Sequence, residues 1–233
     1  SMTNLPQPTP QHEWKSFRMS TASRSGRVAA GPGRPRLVEQ RRRGATAREE
    51  ILDAAAELFC RHGYTGTSTR MIAEAVGIRQ ASMYHYFKNK DDILAALLDA
   101  TVVGSLERAR ELLDDDRAPL DRLLDLARFD ATQLVDERWN LGSLYLLPEV
   151  GDDRYAQFRT ARSELAAAYE TLAAAVLDDP TDTRSLLPFR LVESMIMLRS
   201  DEQRDELDGR TAADLVDTIV GAIEMLLTHR SGA

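Results

Sequence analysis

The sequence predicts an all-α protein of about nine helices, with a three-helix helix-turn-helix unit at residues 46–103 and a larger helical unit at 104–233, behind a basic arm at 1–45. Three observations carry this prediction. Apolar residues recur at helical spacing from Thr46 almost to the C-terminus. Helix start and stop signals bracket each of these runs. No run alternates β-branched and polar residues as a half-buried strand would.

The arm comes first. Residues 1–45 lack helical periodicity and carry Pro6, Pro8, Pro10, Pro32 and Pro35 among scattered Gly, Ser and Arg. That composition buries too little apolar surface to order itself, so a disordered arm is expected. Ser1 before Met2 reads as a cloning remnant, and Met19 is an alternative start.

Helical grammar begins at Thr46-Ala-Arg-Glu49, a capping box. Ile51, Ala54, Ala55, Leu58 and Phe59 follow as one stripe. Gly63 is expected to end this helix in a left-handed cap, with Tyr64 folded back on Phe59. A second start at Thr67 or Ser68 leads to Met71, Ile72, Ala75 and Val76, and Gly77 breaks that pattern. A third helix is expected from about Gln80 to Phe87, with Met83 and Phe87 facing the core. Two short helices joined by a tight glycine turn match the helix-turn-helix pattern, because the turn asks for a left-handed backbone that a Cβ disfavours.

Beyond Asp91 only helical patterns appear. Leu94, Leu97, Leu98, Thr101 and Val102 continue a long helix toward Asp116, and Pro119 opens the next. A shorter helix is expected around Trp139–Leu147, then Arg154–Leu177, Ser185–Arg199 and Thr211–His229.

Composition narrows the function. With 43% hydrophobic and 29% charged residues, the chain has ample material for a core and the balance of a soluble protein. No apolar run approaches the ~20 residues of a membrane span, and a single cysteine, Cys60, fits a reducing cytosol. The expected location is cytoplasmic. The net charge of -7 hides an asymmetry: Lys/Arg stand at nine against two Asp/Glu in residues 1–46, six against eight in 47–103, and fifteen against twenty-seven in 104–233. A basic arm on an acidic body points to nucleic acid at one end.

On the third helix, Gln80 and Tyr84 are i, i+4 neighbours, with Ala81 and His85 in the adjoining row. In a major groove, Gln80 can donate to and accept from an adenine edge, and Ala81 can touch a thymine methyl. Ser82, Tyr84, His85 and Tyr86 suit phosphate oxygens, which set register rather than sequence. Thr69 and Arg70 offer a hydroxyl, a cation and free amides to a phosphate. Lys90 is expected to clamp the DNA backbone as a point charge.

The stretches "REEILDAAAELFCRHGYTGTSTRMIAEAVGI" and "ASMYHYFKNKDDIL" closely resemble the TetR family of bacterial transcriptional regulators over about residues 46–100. In that family a Tyr-x-Tyr-Phe-x-x-Lys run closes the recognition helix; here it is Tyr84, Tyr86, Phe87 and Lys90. The resemblance implies a three-helix DNA-binding domain, a divergent helical ligand domain, dimerisation through the last two helices, and repression relieved by a small molecule. Arg79 departs from the small capping residue usual before this helix.

Within the arm, "PGRPR" carries Arg34 and Arg36 around the Gly-Arg-Pro core of an AT-hook-like element, and Arg41, Arg42 and Arg43 follow. Arginines on extended backbone suit a narrow minor groove. Minor-groove reading, general phosphate attraction and no role all remain open for them.

In the body, Phe129, Trp139, Leu144, Tyr145, Phe158, Tyr169 and Met195 are candidates to line a pocket for an apolar or amphipathic effector, the alternative being that they fill a core. Leu187 and Leu191 on the penultimate helix, with Leu215, Ile219, Val220, Ile223 and Leu227 on the last, make apolar stripes wider than one core face requires. A two-fold homodimer is expected there, reading a palindromic operator.

Neither a metal nor another cofactor is expected. The four histidines show no metal spacing, no phosphate loop appears, and Cys60 has no evident base, which argues against an enzyme. A DNA-organising protein without an effector is the remaining alternative.

Overall fold

A computed structural model describes residues 44–229, so Arg34, Arg36, Arg41, Arg42 and Arg43 lie outside the described residues. Among those described, the chain is helical throughout: α1 (Ala47–Gly66), α2 (Thr69–Val76), α3 (Gln80–Met83), α4 (Lys90–Leu113), α5 (Pro119–Asp136), α6 (Ala156–Leu177), α7 (Leu187–Gln203) and α8 (Val216–Thr228). The ninth expected helix, around Trp139–Leu147, is a 3₁₀ helix at Leu141–Leu146, and shorter 3₁₀ turns carry the chain on to α6. Close packing accounts for its form. A Cβ on Gly142 would stand 2.5 Å from Cγ1 of Ile196, so this segment lies pressed on α7.

Caps set the helix ends. Thr46 accepts from the Glu49 amide, and Glu49 reaches back in reciprocal fashion, as a capping box requires. Gly63 does not close α1 in the expected left-handed form. Its φ of 73° and ψ of 162° put a kink in the helix, which resumes for one turn to Gly66. That conformation is essentially open to glycine alone. Tyr64 still returns to Phe59, with ring centroids 5.2 Å apart edge to face. Asn89 caps α4, accepting from the Asp92 amide.

Two apolar clusters divide the molecule along α4. Residues of α1, α2, α3 and the first half of α4, through Val102, share one cluster with Leu141, Leu144, Tyr155 and Phe158. Leu106 and the rest of α4 join a second with α5, α6, α7 and α8. The long helix α4 is thus the rod that connects head and body.

The apolar stripe of α8 is narrower at the surface than expected. Val220, Ile223 and Leu227 are buried in the second cluster and serve this chain's own core rather than a partner. Ile219 and Leu215 are half-buried, while Leu186, Leu187 and Met225 stand exposed. Leu191 is half-buried on the same helix as Leu187.

Candidate nucleic-acid interface

The second and third helices are placed by a few strong local choices. Ser68 accepts from the Met71 amide and starts α2. Gly77 ends it in the left-handed region, its amide reaching the carbonyls of Ala73 and Glu74. Ile72, Ala73 and Val76 bury one face of α2, and Met83 and Phe87 anchor the following segment in the same core. Arg79 provides no side-chain cap for α3.

The third helix is shorter than expected. It spans Gln80–Met83, after which the amides of His85 and Tyr86 bond three residues back, to Ser82 and Met83, in a tightened turn. Met83 and Phe87 are both buried, with the Phe87 amide still reaching the Met83 carbonyl, and Tyr84, His85 and Tyr86 stay outside. Each tyrosine is 47% exposed, unusual for so large a ring.

The outer edge of α2 and α3 carries a linked polar triad. The Gln80 side-chain amide donates to Thr69 at 2.9 Å and to the Tyr84 hydroxyl at 3.3 Å. Thr69 and Tyr84 meet at 3.4 Å. The triad holds the start of α3 against the start of α2, with the free amides of α2 beside it. Ala81 is exposed and Ser82 half-buried on the same edge. Arg70 lies fully at the surface, paired to Glu74 at 2.8 Å across one helical turn. Such an exposed pair yields readily to a phosphate.

Lys90 requires a correction. It does not point outward as a backbone clamp; Nζ donates to the carbonyls of Tyr64 at 2.7 Å and Thr67 at 2.9 Å, and sits 4.1 Å from the Tyr64 ring centre. These carbonyls end α1, where helices leave acceptors unsatisfied, and the cation fills that need. Lys88 is the exposed lysine of the two. The family spacing singled out Lys90, and the carbonyls that turn it inward come from the distant end of α1.

The body residues expected to form one apolar pocket are not gathered into one. Leu144 and Phe158 belong to the head-side cluster, and Tyr169 and Met195 to the body cluster. Trp139 sits at the joint with α1, its indole N–H donating to Asp53 at 3.1 Å. Phe129 lines an open groove of about 460 Å³ along the outside of α5. Tyr145 alone of the seven lines a small cavity, together with Asp130, Arg162, Phe189 and Glu193. Burial pushes the Cys60 thiol up to about 11, which disfavours the reactive thiolate. No helix among the described residues is long and apolar enough to cross a membrane.

The head is matched by known proteins, and so is most of the chain. The family model for bacterial regulatory proteins, tetR family, matches residues 51–97. The crystal structure of Mycobacterium smegmatis AmtR is 49% identical, with a TM-score of 0.73, over 83% of this chain and 92% of that one. The transcriptional repressor KstR2 of Mycolicibacterium smegmatis is 34% identical over 91 residues, 38% of this chain. That match spans 44% of the repressor, less than half its length. The structure of AibR with isovaleryl coenzyme A and operator DNA has a TM-score of 0.58 at 24% identity, a likeness of fold alone.

Proposed function

The chain belongs to the TetR family of bacterial regulatory proteins, whose members are DNA-binding transcriptional regulators and not enzymes, and from that premise we propose that it is a repressor released from its operator by a small molecule. The observation that carries this reading is the exposed polar edge of Thr69, Gln80 and Tyr84 on a head whose own core is complete without those side chains. A bidentate adenine contact needs one Gln80 amide hydrogen, and both of these are engaged by Thr69 and Tyr84. Docking therefore exchanges one internal bond for a base contact and frees a hydroxyl for a phosphate.

The division of labour we propose runs with the chain. Residues 46–103 bind DNA through Thr69, Arg70, Gln80, Ala81, Ser82, Tyr84, His85 and Tyr86, with Lys88 in the place expected of Lys90. Residues 104–233 hold the effector, an amphipathic molecule, and the dimer contact. Residues 1–45 add cations to the DNA contact. The exposed Leu186, Leu187 and Met225 beside the half-buried Leu191, Leu215 and Ile219 support a two-fold partner on α7 and α8. A two-fold dimer presents two identical heads about one duplex turn apart or a multiple of it, ~34–36 Å for one turn, so the operator is a palindrome.

Footprinting on DNA selected from a random pool tests the proposal. Two symmetric protected half-sites are expected. A single asymmetric half-site, or equal affinity for every sequence at all salt concentrations, would overturn it.

A further inference from the structure

The body core encloses a charge that DNA binding does not use. Asp130 on α5 is 6% exposed. Ser105 donates to one of its oxygens at 2.7 Å and Tyr169 to the other at 3.1 Å, while Gln133 supports Ser105 at 2.8 Å. No arginine or lysine among the described residues pairs with it, and the charge that acts on it is the like charge of Glu193. Glu193, by contrast, is fully engaged, held by Arg162 at 2.8 and 2.7 Å and by Arg190 at 2.7 Å.

Asp130 also forms part of the wall of the small cavity between α4, α5, α6 and α7. The cavity measures about 20 Å³, room for one water-sized group. Thr101 and Tyr145, joined at 2.6 Å, form a second polar side, and Val102, Leu165 and Phe189 an apolar one. An ionised carboxylate uses about four acceptor positions, and two hydroxyl donors leave the others unmet. A buried carboxylate without a cation is among the costliest groups a core can hold. Arg162 lines this space as well, but its guanidinium lies over the Tyr145 and Phe189 rings and is committed to both oxygens of Glu193, so it makes no bond to Asp130.

We propose that this cavity seats the head group of the effector and that the effector is a compact organic cation, a primary ammonium with a short carbon chain. An ammonium is the size of the group the cavity admits. Its N–H groups neutralise Asp130, and its carbon part lies along Val102, Leu165 and Phe189. The carbon part exceeds the space present, so Thr101 and Val102 on α4 must shift, and α4 carries the head. The inference rests on the reading that the body binds an effector.

The test titrates the full chain, with and without operator, with methylammonium and n-propylammonium chlorides. Sodium propionate and n-propanol serve as anionic and neutral controls at matched ionic strength. Saturable calorimetric binding of at least one cation is expected, with no binding of the controls. Asp130→Asn is expected to weaken that cation at least about tenfold, as removal of one charge-assisted interaction implies. Glu164→Gln, exposed on α6, paired with Arg110 and outside the cavity, is expected to change it little. A second readout needs no variant: proton uptake by Asp130 competes with the cation, so affinity of the native chain falls on acidification, with Ser105, Tyr169, Glu193, Arg162, Thr101 and Tyr145 as the groups around it. Absence of cation binding, equal binding of propionate or propanol, or affinity indifferent to both Asp130→Asn and pH overturns the proposal. A cation that binds through Asp130 yet leaves operator affinity unchanged upholds the seat and sinks the release reading. A cation that releases operator without needing Asp130 does the reverse.

Discussion

Asp53 in the middle of α1 accepts a hydrogen bond from the indole of Trp139, 3.1 Å away and just beyond the end of α5. Arg138 adds bonds of 3.0 and 3.1 Å to the same carboxylate, and Arg138 and Arg61 approach the indole ring at 4.6 and 5.5 Å. This joint ties the DNA-binding head to the helix that carries Asp130. Asp53→Ala leaves a part-buried indole N–H and an exposed guanidinium without their acceptor. We expect a loss of about 2 kcal/mol in chemical denaturation, discounted for the exposed side of Arg138. Stability within error of the native chain would show that the joint contributes nothing.

Within the polar triad, Gln80→Ala is expected to relax discrimination at one base pair by about 1–3 kcal/mol. Tyr84→Ala is expected to weaken operator binding by roughly 1–2 kcal/mol without changing which base is preferred. Titration of operator and scrambled DNA separates the two. Equal weakening on both DNAs by Gln80→Ala would remove it from base reading.

The two lysines after the tyrosines are expected to behave oppositely. Lys90→Met removes two bonds to the end of α1 and should cost about 1–3 kcal/mol of stability, with the salt dependence of DNA binding unchanged in the folded fraction. Lys88→Ala should leave stability within about 0.5 kcal/mol and flatten the slope of log affinity against log salt by about 0.9 for each phosphate that the lysine neutralises. A flattened slope from Lys90→Met would return that residue to the DNA surface.

Asp130 makes stability depend on pH in an uncommon direction. Burial pushes its carboxyl up to about 6 from 3.8, with Glu193 adding to the rise and the Ser105 and Tyr169 hydroxyls opposing it. Between these values the folded chain keeps a proton that the unfolded chain has released. Its contribution is therefore fully present below the unfolded value, declines as pH rises to about 6, and is flat above. The cost at neutral pH is on the order of 3 kcal/mol. Asp130→Asn is expected to gain on the native chain in denaturation midpoint between about pH 4 and pH 7. A difference independent of pH would show that Asp130 ionises normally.

Met225→Glu and Ile223→Glu sit two residues apart and should differ in kind. Met225 is 67% exposed, so its variant should stay folded and sediment as a monomer. Ile223 is fully buried, and an unpaired charge there should unfold the body. A folded Met225→Glu dimer would move the partner face elsewhere.

Much of the head was legible because its signals are local. The capping box at Thr46, the left-handed Gly77 and the inward spacing of Met83 and Phe87 each act within one or two turns of backbone. The closing turn of α3 was not: the i, i+4 spacing of Met83 and Phe87 suits a regular helix as well as the tightened turn that the amides of His85 and Tyr86 form.

The chain by itself determined the all-helical class, the helix-turn-helix and the exposed polar edge, since periodicity, caps and glycine torsions are properties of neighbouring residues. Only the tertiary structure decided which of two lysines turns inward, which apolar residues of α8 serve its own core, and where a carboxylate lies without a cation. Those outcomes depend on what distant segments bring to the same place. The carbonyls of Tyr64 and Thr67 at the end of α1 claim Lys90, and the hydroxyls of Ser105 and Tyr169 from α4 and α6 enclose Asp130. No spacing along the chain encodes such a meeting, because it is set by how helices far apart in sequence share one core.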